Sequence, residues 1–170
     1  MIMHNATVLF QLHTDIDARV SAIRAHRPDW PCSKGCDHCC RQLAAVPQLT
    51  ATEWDVLKQG LQLLDARRLQ EIRRAVAALS DAAPGAVVCP MLERESGACP
   101  VYAHRPVACR SYGFYVQRDK GLYCAEIEAS VAQGELADVV WGNHDAIDRG
   151  LMATGESRSL IEWFGEWPGE

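Results

Sequence analysis

The sequence predicts a mainly α protein: a helical frame with irregular cysteine-rich loops and one short hairpin, in a single domain over residues 1–170. Three observations predict it. Apolar residues recur at spacings of three and four over long stretches, which is the period of a helix face. Prolines and glycines punctuate the chain between those stretches. Eight cysteines fall in two blocks that follow neither the helical nor the strand period.

From Thr7 to about Ala25, Leu9, Leu12, Ile16, Val20 and Ile23 mark the first helix. Pro28 and Pro31 end it and deliver the chain extended into the first cysteine block, because proline lacks the amide hydrogen that a regular ladder needs. Leu43 to Pro47 is compact and apolar, and Thr50 with Glu53 reads as a capping box opening a second helix. Its buried stripe is Trp54, Leu57, Leu61 and Leu64. A third helix runs from about Ala66 to Leu79 on Leu69, Ile72, Val76 and Leu79, and stops before the turn-forming stretch Asp81 to Gly85.

Beyond Gly85 the pattern changes. Ala86 to Pro90 is short, apolar and bounded by turn formers, which predicts a brief strand or an extended arm. Glu93 to Gly97 is a polar turn that returns the chain to Cys99. Tyr115 to Arg118, Asp119 to Gly121 and Leu122 to Cys124 predict the small hairpin. Leu136, Val139, Val140, Ile147 and Leu151 predict a further helix weakened in its middle by Gly142 and Asn143, and Ser157 a cap for a last short one.

A chain of this length, 48% hydrophobic and 23% charged, can bury a core without covalent staples. Any metal is then an addition to the core and not its replacement. No apolar run approaches a membrane span, and Met1 to Phe10 lacks the basic region and apolar core of an export signal. The expectation is a cytoplasmic protein without membrane contact. A net charge of -5 repels nucleic acid, so no such partner is expected. The paired arginines Arg67-Arg68 and Arg73-Arg74 lie on the third helix and read as its solvated face.

The cysteines carry the chemistry. Cys32, Cys36, Cys39 and Cys40 form one block; Cys89, Cys99, Cys109 and Cys124 form the other. Thiolates three or four residues apart can converge on one soft cation. Disulfides would need an oxidising compartment, and inert core cysteines do not cluster with glycine, lysine and aspartate as the first block does. Metal ions, zinc or iron, are therefore the expected partners of all eight, across a region spanning residues 32–124. The spacing of Cys32, Cys36 and Cys39 suits a four-iron four-sulfur cluster, and zinc would accept the same sulfurs. Adjacent Cys39 and Cys40 are expected to point apart, which implies two sites or one multinuclear site.

In the second block, Cys89, Leu92, Cys99, Tyr102, Arg105, Pro106, Cys109 and Arg110, together with the first block and trailing Cys124, resemble the YkgJ-type cysteine-cluster family. That resemblance implies a zinc- or iron-chelating domain whose reaction, if any, is uncharacterised. A related cysteine pattern accompanies flagellin lysine methylases, where an iron-sulfur cluster is implied, but this chain is short for a methyltransferase domain as well. One departure stands out. The first spacing is three residues where the family has two, and Asp37-His38 replaces its glycine, which raises His38 as a substitute ligand.

Four thiolates around a divalent ion carry a net charge near minus two, which arginines can answer. Arg105 and Arg110 are the candidates, and Tyr102 is expected over the sulfurs or in the core. Pro106 is expected to bend Cys109 back toward Cys99. His104 is a weaker ligand candidate, His144 with Asp145 and Asp148 could offer ligands to a harder metal, and the aromatic ending Trp163 to Trp167 is expected to dock on its own core. No phosphate loop, nucleophile elbow or zincin helix is present, so catalysis would come from the metal. The alternative to a metal-binding protein is an iron-sulfur or iron-dependent redox protein or enzyme.

Overall fold

Helices dominate the computed structural model, which describes residues 2–81, 85–118 and 120–168. In chain order the elements are α1 (Ile2–His26), α2 (His38–Arg41), β1 (Gln48–Thr50), α3 (Ala51–Gln62), α4 (Ala66–Ala78), α5 (Val107–Ser111), β2 (Tyr115–Gln117), β3 (Lys120–Leu122), α6 (Ala125–Ala132), β4 (Gly142–Asn143), α7 (His144–Leu151), β5 (Ser157–Ser159) and α8 (Leu160–Glu166). Single 3₁₀ turns lie at Leu79–Asp81 and Tyr102–His104. Among the described residues no strand exceeds three residues, so the class is mainly α. Among the described residues no helix is long and apolar enough to cross a membrane. The chain divides into two compact units, the first Met1–Lys34 with Val107–Thr154, the second Gly35–Pro106 with Gly155–Glu170.

In the first unit α1 packs on α5 and α7. Leu9, Ile16 and Ile23, seven apart and so on one helix face, are its buried stripe. Trp30, placed by the proline break, stacks on Phe114 at 5.8 Å and meets Trp141 at 5.6 Å. The hairpin β2–β3 forms as expected, pairing Tyr115 with Leu122, although its tip at Asp119 lies outside the described residues.

The helix predicted over Leu136 to Leu151 is only half present. Gly142 and Asn143 form β4, parallel to β2, and α7 begins at His144. Gly142 lies flat on the Tyr115 ring, where a Cβ would come within 2.2 Å, and the Asn143 side chain accepts the Asp145 amide at 3.0 Å to cap α7. The two residues that weakened the predicted helix are thus a strand and a cap. α6 went unpredicted because its buried stripe is a single residue, Ile127.

In the second unit α3 opens with the expected capping box. Thr50 Oγ1 accepts the Glu53 amide at 3.4 Å, and Glu53 accepts the Thr50 amide at 2.9 Å. Asp65 caps α4. Leu49, Trp54, Leu57, Leu61, Ile72, Val76, Met91, Val101, Leu160, Trp163 and Phe164 form one continuous core. The aromatic ending docks on it as expected: Trp54 and Trp163 are stacked at 6.1 Å, and Trp163 Nε1 donates to the Leu49 carbonyl at 2.9 Å. The cap of α8 is Ser159, in a second capping box with Glu162, while Ser157 pairs with Thr50 where β5 meets β1.

Of the brief strand or extended arm predicted at Ala86 to Pro90, the arm forms, held by one bridge between Val87 and Leu43. Pro90 cannot donate to a ladder and ends it. Ala82 to Pro84, at the predicted turn before it, lie outside the described residues.

Candidate metal centre

Four of the second unit's five thiols are linked pairwise, neighbour to neighbour. α2 is a single helical turn, and it carries Cys39 and Cys40 with their Sγ atoms 4.0 Å apart. This corrects the expectation that the pair points apart. Successive side chains diverge by 180° on a strand but by about 100° on a helix, so both thiols reach one side of α2. The extended arm delivers the third. Cys89 donates its amide to the Cys40 carbonyl at 2.7 Å, and the two thiols hydrogen bond to each other. The polar turn delivers the fourth: the Glu93 amide donates to the Ala98 carbonyl at 2.9 Å, and Cys99 follows within electrostatic reach of Cys39 and Cys40. Cys89 and Cys99 rest against the apolar core, and all four thiols are half-buried. Arg41 ties α2 to the same turn, donating to Asp37 at 2.7 Å and to the Arg94 carbonyl at 3.1 Å.

Thiols held this close cannot all ionise unaided. The hydrogen bond with Cys40 and burial push the Cys39 thiol far above its ordinary value. At Cys40 the hydrogen bond from Cys39 favours ionisation, but the bond to Cys89, burial and the neighbouring sulfurs outweigh it and push the thiol up to about 12. Burial raises Cys99 too, against the opposing charges of Arg105 and Arg68. A divalent cation reverses this balance, because it turns mutual repulsion among thiolates into shared attraction.

Of the remaining four cysteines, Cys32, Cys109 and Cys124 lie in the first unit. Arg24, in the last turn of α1, donates to the Cys32 carbonyl at 2.8 Å, and Cys32 Sγ lies 3.6 Å from the Tyr112 carbonyl. Gly113 permits this seat: its φ is +89°, and a Cβ there would come within 2.8 Å of the Cys32 sulfur. The Gly113 amide donates to the Leu122 carbonyl at 2.7 Å, two residues before Cys124, which opens α6. Cys109 sits one helical turn before Gly113, on α5. Among the described residues no cysteine is in a disulfide.

The remaining candidates sort by unit. Cys36 belongs to the second unit, half-buried ahead of α2, and His38 opens that helix, exposed. Arg105 pairs with Tyr102, three residues after Cys99, with the guanidinium 3.5 Å from the ring centre and Nε donating to the Tyr102 carbonyl at 2.9 Å. Arg110 is in the first unit, 3.5 Å from Asp17, where burial and its charge lower the His13 imidazole to about 4. Cys99 and Cys109, expected to converge, belong to different units. The His104 ring packs on Gly60 of α3. His144 Nδ1 lies 3.2 Å from Asp148, whose other oxygen accepts from Gln117 at 2.8 Å, while Asp145 serves the cap of α7.

Three arginines went unread. Arg24 holds Cys32, and Arg68, taken for a solvated residue, donates to the Met91 carbonyl at 3.2 Å. A signal for Arg68 exists: it lies four residues before Ile72 on the core-facing stripe of α4, whereas Arg67 falls off that stripe and is 88% exposed. Arg73 is likewise held, over the Trp167 ring at 4.1 Å.

The donor set fits a soft or borderline metal. A tetrahedral zinc with bonds of about 2.3 Å sets its sulfurs about 3.8 Å apart, close to the 4.0 Å between Cys39 and Cys40. A family model for CxxCxxCC, described as "Putative zinc- or iron-chelating domain", matches residues 31–133. No curated protein and no solved structure matches the chain.

Proposed function

Because the chain belongs to the CxxCxxCC family of zinc- or iron-chelating domains, we propose that it is a zinc-chelating protein in which Cys39, Cys40, Cys89 and Cys99 hold one divalent cation. The observation that carries the reading is the 4.0 Å separation of Cys39 and Cys40 within a group that Cys89 joins through the backbone of Cys40. In a four-iron cluster each thiolate takes its own iron, so its cysteines stand apart across the cluster. A close adjacent pair suits a single tetrahedral ion instead. When bound, zinc would supply a fixed positive charge at the junction of α2, the arm and the turn. The protein's own groups do the rest: the core supports Cys89 and Cys99, and Arg41 holds α2 to the turn before Cys99. Four sulfurs close the coordination shell, so the role is structural and nothing turns over there.

The same reading assigns Cys32, Cys109 and Cys124 to a second ion in the first unit. Support comes from the seating of Cys32 over Gly113, within one helical turn of Cys109 and bonded toward the strand that leads to Cys124.

Elemental analysis of protein purified without oxygen tests both assignments. A colourless sample with zinc and no acid-labile sulfide is expected, and Cys40→Ser should lose one equivalent of zinc while keeping the other. Brown absorbance with iron and sulfide, or full zinc content in Cys40→Ser, would overturn the four-sulfur assignment.

A further inference from the structure

We propose that Arg68 is the second cation of this centre, acting with Arg105 to bring a four-thiolate complex of a divalent ion to neutrality; the inference rests on the four-sulfur reading above. Four thiolates carry four negative charges, a divalent ion cancels two, and two guanidinium groups cancel the rest. A half-buried centre left at minus two would be costly, since water can answer only part of its charge.

The geometry points to Arg68 and not its neighbours. Its Nη2 donates at 3.2 Å to the carbonyl of Met91, in the turn that the Leu92 amide closes onto the Cys89 carbonyl at 3.1 Å. Its side chain is 23% exposed, so its charge is incompletely screened. Glu71 lies 3.2 Å from Arg68, but it also lies 3.8 Å from Arg67, which can answer the carboxylate from the solvent side. Arg105 is held separately, by the ring and carbonyl of Tyr102, three residues after Cys99. Arg68 never touches the metal in this account; it is a positioning and charge-balancing residue.

Conservative variants separate charge from hydrogen bonding. Arg68→Gln keeps a donor for the Met91 carbonyl and loses the charge, whereas Arg68→Lys keeps the charge. The measurement is zinc affinity of the full chain in competition with a chromophoric chelator. Arg68→Gln should weaken binding roughly 10- to 100-fold, the usual cost of losing a group behind the ligands. Arg68→Lys should stay within about threefold of the unaltered protein, and Arg67→Gln within about twofold, on the same ground of charge retained or remote. Glu71→Gln reads the same charge with opposite sign and should bind zinc more tightly, which keeps the test alive if Arg68→Gln does not fold. Binding by Arg68→Gln at the unaltered affinity, binding by Arg68→Lys as weak as by Arg68→Gln, or unchanged or weaker binding by Glu71→Gln overturns the role. Absence of zinc binding by the unaltered protein would overturn the four-sulfur reading itself, and the role with it.

Discussion

Gly113 shows how much of a sulfur's placement can rest on a residue with no side chain. At φ +89° it adopts a backbone region that other residues enter only with strain, and the Cys32 sulfur occupies the space a Cβ would need, 2.8 Å away. The sequence marks Cys32 as a donor but carries no sign of this seat, which depends on a contact between residues 81 positions apart. Gly113→Ala should therefore cost about 1–3 kcal/mol, from the backbone strain and the displaced thiol together. Thermal or urea unfolding checks the stability, and zinc counting checks the donor: loss of stability with one equivalent of metal released is expected. An alanine variant with unchanged midpoint and metal content would show that the seat of Cys32 does not matter. The same scale explains why Cys39 and Cys40 were misread. Their spacing was legible, but whether neighbours diverge by 100° or 180° depends on whether the turn is helical, and four residues are too few to show a period.

Among the elements, those that rest on a long apolar stripe were legible and those that rest on a single contact were not. α1, α3 and α4 follow from periodicity because each buries a face: Leu9, Ile16, Ile23, Trp54, Leu57, Leu61, Ile72 and Val76 of the predicted stripes are buried, and Leu12, Val20, Leu64, Leu69 and Leu79 half-buried. β1 and β5 have three residues each and are defined only by each other, so nothing local announces them. Their pairing moved the last cap by two residues. Ser157, the expected cap, is spent in the strand, and Ser159 takes the role by accepting the Glu162 amide at 3.3 Å while Glu162 accepts the Ser159 amide at 2.8 Å. Ser159→Ala should cost about 1 kcal/mol, the ordinary price of a lost cap. Ser157→Ala, exposed at a strand end, should stay within about 0.5 kcal/mol. Paired urea unfolding curves decide between them, and a larger loss from Ser157→Ala would return the cap to its expected place. In the cysteine region the donors were legible and their grouping was not, because the arm is held by backbone bonds of Val87 with Leu43 and of Cys89 with Cys40 that no side-chain pattern encodes.

At the scale of the whole molecule each unit takes sulfurs from both cysteine blocks: the unit boundaries pass between Cys32 and Cys36 and between Cys99 and Cys109. Yet the units differ from a small zinc module in one respect that fixes how they should respond to metal removal. The second has a continuous apolar core from Leu49 to Phe164, and the first buries Leu9, Ile16 and Ile23 of a 25-residue helix. Helices packed on such cores persist without a cation, whereas a module too small for a core unfolds when its zinc leaves. Stripping zinc with a strong chelator at neutral pH should therefore leave the far-ultraviolet circular dichroism near its starting value at 25 °C. The thermal midpoint should still fall. Zinc present at a thousand times its dissociation constant stabilises by about 4 kcal/mol, and for a chain of this length that corresponds to a drop of roughly 10 °C on removal. Restoring zinc should restore the midpoint. Collapse of the helical signal on chelation would mean that the metal, and not the apolar stripes, holds the helices; an unmoved midpoint would mean that the thiols do not bind zinc in the folded protein.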